Sequence, residues 1–182
     1  MIDGLLEFTY RPPLKRKAAA VWFSVLLFAG AAGATASVLS PKFKGLISLA
    51  AIIAIVGAIV VFVRYMSGAY AYAVIYADDF TPILVVTKIT GKRVSTLGNF
   101  SLSAILQINK ITQEQKRNEK GEVGVRKYNL CPNLSPETLY KLTVRGREES
   151  ADVYLEGSDE FFLRLREYSA KAREYAILNE EE

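Results

Sequence analysis

Three groups of residues in this chain are of types that do chemistry. They are a single thiol, Cys131; an adjacent carboxylate pair, Asp78 and Asp79; and a basic trio, Lys88, Lys92 and Arg93, around the Thr90-Gly91 step. A thiol nucleophile needs a base or a positive neighbour to become a thiolate, and the chain contains no histidine to serve as one. Cys131 lies in RKYNLCP (126–132), an alternating stretch where a small thiol is ordinarily buried. Asp78 and Asp79 stand in ADDFTP, whose residue types form turns. The absence of histidine and of cysteine clusters also removes the usual metal ligands. The expectation is therefore a protein that is not an enzyme and holds no metal or cofactor. One cysteine allows no intrachain disulfide, which suits a reducing compartment.

The basic trio raises the question of an anionic partner, because the 182-residue chain has a net charge of +4. Placement answers part of it. Seven basic and two acidic residues precede position 67, whereas sixteen basic and seventeen acidic residues follow it. The excess flanks apolar segments and forms no patch on a folded domain, so no nucleic-acid partner is expected.

Two apolar segments stand between those charges. Residues 18–41 and 45–63 carry no charge at all, and as helices they would be ~36 and ~28 Å long, against a hydrocarbon core of ~30 Å. Pro41 and Gly45 in SPKFKG stop one helix and start the next, which gives an antiparallel hairpin with spans of about 18–40 and 45–65. Arg11, Lys15, Arg16 and Lys17 precede the first span and Arg64 follows the second, against Lys42 and Lys44 in the connector. That bias places both termini in the cytoplasm and the protein in the cell membrane. Trp22 and Tyr65 fit one aromatic belt. Gly30, Gly33, Ala54 and Gly57 are small enough to let helices meet closely, within one hairpin or between copies in a homo-oligomer. The run up to Ala-Thr-Ala (34–36) also has the form of a cleavable signal peptide, although Asp3 and Glu7 and the continuing apolar stretch argue for a retained span.

After Arg64 the pattern changes to alternation: Tyr70, Tyr72, Val74 and Tyr76 on one side, Ala71, Ala73 and Ile75 on the other. Ser67-Gly68 marks the break. Strands follow at 82–90, 92–98, within 101–111, and at 126–132, 138–145 and 150–157, with 112–125 as a long exposed loop. A helix closes the chain, with Ser158 as its N-cap and an inward stripe of Phe161, Leu165, Tyr168, Ala172 and Tyr175, with Phe162 beside it. Glu160 with Arg164 and Glu167 with Lys171 are helpful pairs on its surface. The N-terminal LLEFTY also alternates and could add an edge strand. The fold class expected is an α+β membrane protein: residues 1–17 as an N-terminal segment, 18–66 as the hairpin, 68–177 as an antiparallel β-barrel or sandwich of about seven strands with its helix, and 178–182 as an acidic tail.

YAVIYADDF, the basic hairpin VTKITGKRV, NFSLSAI leading into a strand, and a last strand followed by SDEFFLRLREY make an order that resembles the pleckstrin-homology-like (PH-like) fold. With the hairpin before it, the chain is similar to bacterial membrane proteins that join a transmembrane hairpin to a cytoplasmic PH-like domain. The resemblance implies a non-enzymatic binding or scaffolding module that serves a protein or lipid partner. Members that bind inositol lipids use basic residues in the first hairpin loop. ADDFTP has two acidic residues there, so no ligand residues carry over. Bilayer headgroups remain the expected contact for Arg11, Lys15, Arg16, Lys17, Arg64, Lys88, Lys92 and Arg93. The alternative function is an accessory subunit of a larger membrane complex, assembled through the hairpin.

Overall fold

The computed structural model describes residues 7–77, 81–118, 125–146 and 149–180. The Asp78–Asp79 pair and most of the second half of the expected 112–125 loop lie outside the described residues. The chain divides into a helical unit and a β unit.

In the helical unit, α1 (Arg16–Leu39) and α2 (Lys44–Val61) are joined by a 3-10 turn at Pro41–Phe43. Both helices are long and apolar enough to cross a membrane. α2 runs on through a π-helical turn, Phe62–Met66, where Ser67 N donates to Phe62 O at 2.9 Å. The Ser67-Gly68 break thus begins with one over-wide turn. At the other end, Lys15 N donates to Asn133 Oδ1 at 2.7 Å, which satisfies a donor ahead of the first turn of α1.

The β unit contains two four-stranded sheets. In the first, β1 (Phe8–Tyr10), β2 (Ala69–Tyr76), β3 (Pro82–Thr90) and β4 (Arg93–Ser101) lie in that order, all antiparallel. The second orders β5 (Ile105–Ile111), β7 (Leu139–Val144), β8 (Ala151–Glu156) and β6 (Arg126–Asn129). Two features differ from the expected antiparallel barrel or sandwich of about seven strands. The sheets do not close into a barrel, and β6 runs parallel to β8. Chain direction explains the second point. After β6 the chain crosses β8, with Cys131 Sγ 3.5 Å from Tyr154 O, instead of turning back as a hairpin. The eighth strand is β1, from LLEFTY, whose Phe8, Thr9 and Tyr10 face Val74, Ala73 and Tyr72.

The core lies between the sheets. β2 contributes Tyr70, Tyr72 and Val74, the side that alternation assigned to one face. Leu84 and Val86, Ile105 and Ile108, Leu142 and Val144, and Val153 and Leu155 complete it from β3, β5, β7 and β8. α4 (Asp159–Glu180) closes it with Phe161, Phe162, Leu165 and Ala172, while Tyr168 is half-buried. Ser158 caps α4, its Oγ accepting from Phe161 N at 3.2 Å, and Glu160 pairs with Arg164 at 2.8 Å. The expected stripe ends early: Tyr175 is 44% exposed. α4 also continues to Glu180, into the segment expected to be a tail.

A short helix, α3 (Gln113–Asn118), replaces the first part of the expected loop. Thr112 and Gln115 form a reciprocal cap. Gln115 N donates to Thr112 Oγ1 at 3.1 Å, and Thr112 N donates to Gln115 Oε1 at 2.8 Å.

Candidate functional site

Among the described residues, Cys131 and the basic trio occupy separate places in the β unit. Cys131 is buried beside Leu139 and Tyr154 in a small satellite cluster, and its sulfur faces a carbonyl oxygen. The basic trio divides. Gly91, with φ of 60°, makes the tight turn that sets Thr90 opposite Arg93, and Lys92 and Arg93 are exposed there. Lys88 instead lies along β3 with its ammonium 6.0 Å from the centre of the Tyr70 ring. Arg11, Lys15, Arg16 and Lys17 are exposed around the start of α1, whereas Arg64 is half-buried, its guanidinium over Tyr65.

The small glycines of the hairpin lie at the contact between its two helices. A Cβ on Gly30 would lie 2.6 Å from Ile55 Cγ1, and one on Gly33 3.0 Å from Ala51 Cβ. Gly57 faces Leu26, at 3.5 Å by the same measure, and Ala54 is half-buried. These residues hold α1 against α2 at a separation that larger side chains would not permit.

Two polar groups fix the β unit from within. Tyr72 is fully buried, and its hydroxyl donates to Leu130 O at 3.2 Å. Burial raises its pKa well above the ordinary tyrosine value, and the Cys131 thiol adds to this. At the start of α4, Asp159 receives Tyr140 Oη at 2.7 Å and Lys110 Nζ at 2.8 Å. Desolvation and then the Asp159 carboxylate push Tyr140 up to about 12, while the Lys110 and Tyr140 hydrogen bonds hold Asp159 below its usual range. The Tyr140 ring also stacks on Phe162, with centroids 3.8 Å apart. This cluster fastens the helix to the second sheet.

An open concave feature among the described residues of the β unit lies elsewhere. A cleft of about 700 Å³ runs between β4 and β6, where the two sheets fail to join. Its apolar floor includes Phe100, Ala104, Leu130 and Val144, and its rim carries Leu97, Tyr128, Arg126, Arg145 and Glu149. Arg126 Nε donates to Glu149 Oε2 at 3.1 Å and shares a second hydrogen bond with Tyr128, so the three rim groups hold one another in place. Gly98 leaves room for the ring of Phe100, two residues on in β4: a Cβ there would be 2.8 Å from Phe100 Cζ and 3.6 Å from Leu130 Cδ1. The ladder is bulged at this point, Val86 facing Gly98 and Thr87 facing Thr96, so that Leu97 is an extra residue in β4.

Sequence reading did not find this cleft. Its local signal was present: RVSTLGNFS and RKYN are polar and largely exposed on both faces, as edge strands are. Which edges face each other is a tertiary fact. No family model, curated protein or solved structure matches the chain.

Proposed function

We propose that this protein is a membrane-anchored, non-enzymatic module whose PH-like β domain presents a binding surface in the cytoplasm. One observation carries the reading. The two apolar helices form an insertion between β1 and β2, which are adjacent strands of one sheet. Chain that enters the helices from β1 must return to pair with it, so an even number of crossings is required, and two spans satisfy this. The exterior of the hairpin supports the same conclusion. Phe28, Leu39 and Leu46 are 77%, 77% and 70% exposed, whereas the buried residues of the two helices are Ala19, Gly30, Ser37, Ala51 and Ala58. A sleeve of large apolar side chains fits lipid and not water.

The retained N-terminal strand also weighs against signal-peptide cleavage near residue 36, which would remove β1 from the sheet. Strands β2 to β8 followed by α4 support the PH-like assignment through their order and the position of the closing helix. The basic excess ahead of α1 supports the cytoplasmic orientation. Assembly of a larger complex through the hairpin is less well supported, because Gly30 and Gly33 are already used within it.

The test combines extraction and labelling. In a Cys131→Ser background, Lys42→Cys and Ser95→Cys report the two sides of the membrane. Alkaline carbonate should leave the protein in the membrane fraction, and an impermeant thiol reagent applied to intact cells should label Lys42→Cys alone. Release by carbonate would overturn the anchor, and labelling of Ser95→Cys alone would reverse the orientation.

A further inference from the structure

The β unit has four sheet edges, and they are treated differently. The outer edge of the second sheet, β5, is covered by α4: Arg166 Nη2 donates to Ile108 O at 2.6 Å and Arg173 Nη1 to Leu106 O at 3.3 Å. The outer edge of the first, β1, is only three residues long. The remaining two, β4 and β6, are the pair that bound the cleft. β4 is nine residues long and, among the described residues, pairs with β3 alone, as β6 does with β8.

An uncovered edge offers a row of ladder donors and acceptors that an added strand can satisfy. The floor beside it is apolar, and the cleft runs along Leu97–Ser101. That stretch would accommodate roughly five extended residues at ~3.4 Å each. The charges select among occupants. β4 and β6 together carry Arg93, Arg126 and Lys127 and no acidic residue, and among the described cleft residues Arg145 is a positive charge beyond the Arg126–Glu149 pair.

We propose that the cleft binds an extended, acidic peptide segment of a partner protein, which adds as a strand to the free edge of β4. Its apolar side chains alternate into the floor at Phe100 and Val144, and its carboxylates face Arg126 and Arg145. The bulge at Leu97 sets where pairing begins, because the extra residue breaks the regular ladder there. This rests on the binding-module reading and names the class of ligand for it, and peptide binding is read separately from carbonate extraction.

The experiment uses the full chain in neutral phosphatidylcholine nanodiscs and a fluorescent hexapeptide of alternating glutamate and valine, read by anisotropy. Three companion probes accompany it: the same peptide with alternate backbone nitrogens methylated, its lysine–valine counterpart, and inositol hexakisphosphate. The proposal expects saturable, salt-sensitive binding of the acidic peptide and at least tenfold weaker binding of the methylated and lysine forms. Arg145→Glu, an exposed change, should weaken binding roughly three- to tenfold without altering the melting temperature. Equal binding of the methylated peptide would rule out strand addition. Displacement by inositol hexakisphosphate at lower concentration than by unlabelled peptide would assign the cleft to phosphate instead. Absence of binding by the acidic peptide would leave the edge arginines as guards against self-pairing and overturn the proposal. Should carbonate release the protein from membranes while the peptide still binds, the anchor fails and the cleft assignment stands.

Discussion

The two units of this protein are packed in opposite senses. In the β unit the largest side chains are hidden: Tyr70, Tyr72, Phe162 and Leu84 are each no more than 2% exposed. In the helical unit the large side chains point outward, and glycine, alanine and serine occupy the contact between helices. Burial of large apolar groups drives folding only when the alternative is water. Where the surroundings are as apolar as leucine, close backbone approach is what remains to be gained. The contrast is the one that an apolar medium around the helices and water around the sheets would each favour.

Truncation in the β unit should give the largest effect. Tyr72→Ala removes a fully buried ring and its hydrogen bond to Leu130 O, and should destabilise the β unit by about 3–5 kcal/mol in denaturant titrations followed by circular dichroism. Phe28→Ala, at the 77% exposed position of α1, should leave that transition unchanged. Comparable losses from both would dissolve the contrast.

Enlargement should do to the hairpin what truncation does to the sheets. Gly30→Leu forces a side chain into the space of Ile55 Cγ1 and should cost about 1–3 kcal/mol, read as lower resistance of the hairpin to dissociation in detergent. Gly45→Leu, with no neighbour within 4 Å of the added Cβ, is the matched control and should have little effect.

β1 precedes the hairpin in sequence yet belongs to the β unit, and its contribution tests the boundary. Phe8 contacts Phe161 and Tyr168 edge-on, with centroids 5.4 Å away in both cases, and Tyr10 stacks on Phe161 at 4.9 Å. Replacing both Phe8 and Tyr10 with alanine should lower the stability of the β unit by about 1–3 kcal/mol, since both are partly buried. A soluble fragment that starts at residue 68 should melt at a lower temperature than the full chain for the same reason.

Titration gives the smallest effects and separates the polar fastenings from the apolar core. Tyr140 is raised from 10.0 to about 12, so the folded state holds its proton more tightly than the unfolded chain. The associated stability is fully present below pH 10 and is lost as pH rises toward 12. Phenolate absorbance should show Tyr72 and Tyr140 resisting ionisation until the alkaline unfolding transition. Asp159 has the opposite sign. Its pKa is lowered from 3.8, so its contribution is present above that value and disappears as pH falls through the lower folded pKa. Asp159→Asn should therefore be less stable than the parent at neutral pH, and the difference should vanish in acid.

Local patterns in the sequence were sufficient for elements whose chemistry is local. Charge-free runs located α1 and α2 within two residues, and alternation picked out the buried side of β2. The T-x-x-Q cap of α3 was equally local, but it was overshadowed by the charged residues around it. What escaped depends on neighbours distant in the chain. The parallel direction of β6 follows from the route taken after Asn129, and Tyr175 is exposed because α4 extends beyond the sheets that bury its first turns. The cleft had no motif, since it consists of two edges that are never brought together.

The insertion between β1 and β2 has a consequence for biosynthesis. Phe8–Tyr10 leave the ribosome before either helix, yet their pairing partners, Tyr72–Val74, emerge only after both. The first strand must wait, unpaired and aromatic, while the whole hairpin is made. Closing that ladder is among the most non-local contacts in the chain, and such contacts form slowly. A nascent chain stalled just after α2 would therefore display Phe8 and Tyr10 to chaperones. Release of that recognition would mark the moment at which β2 arrives to pair with β1.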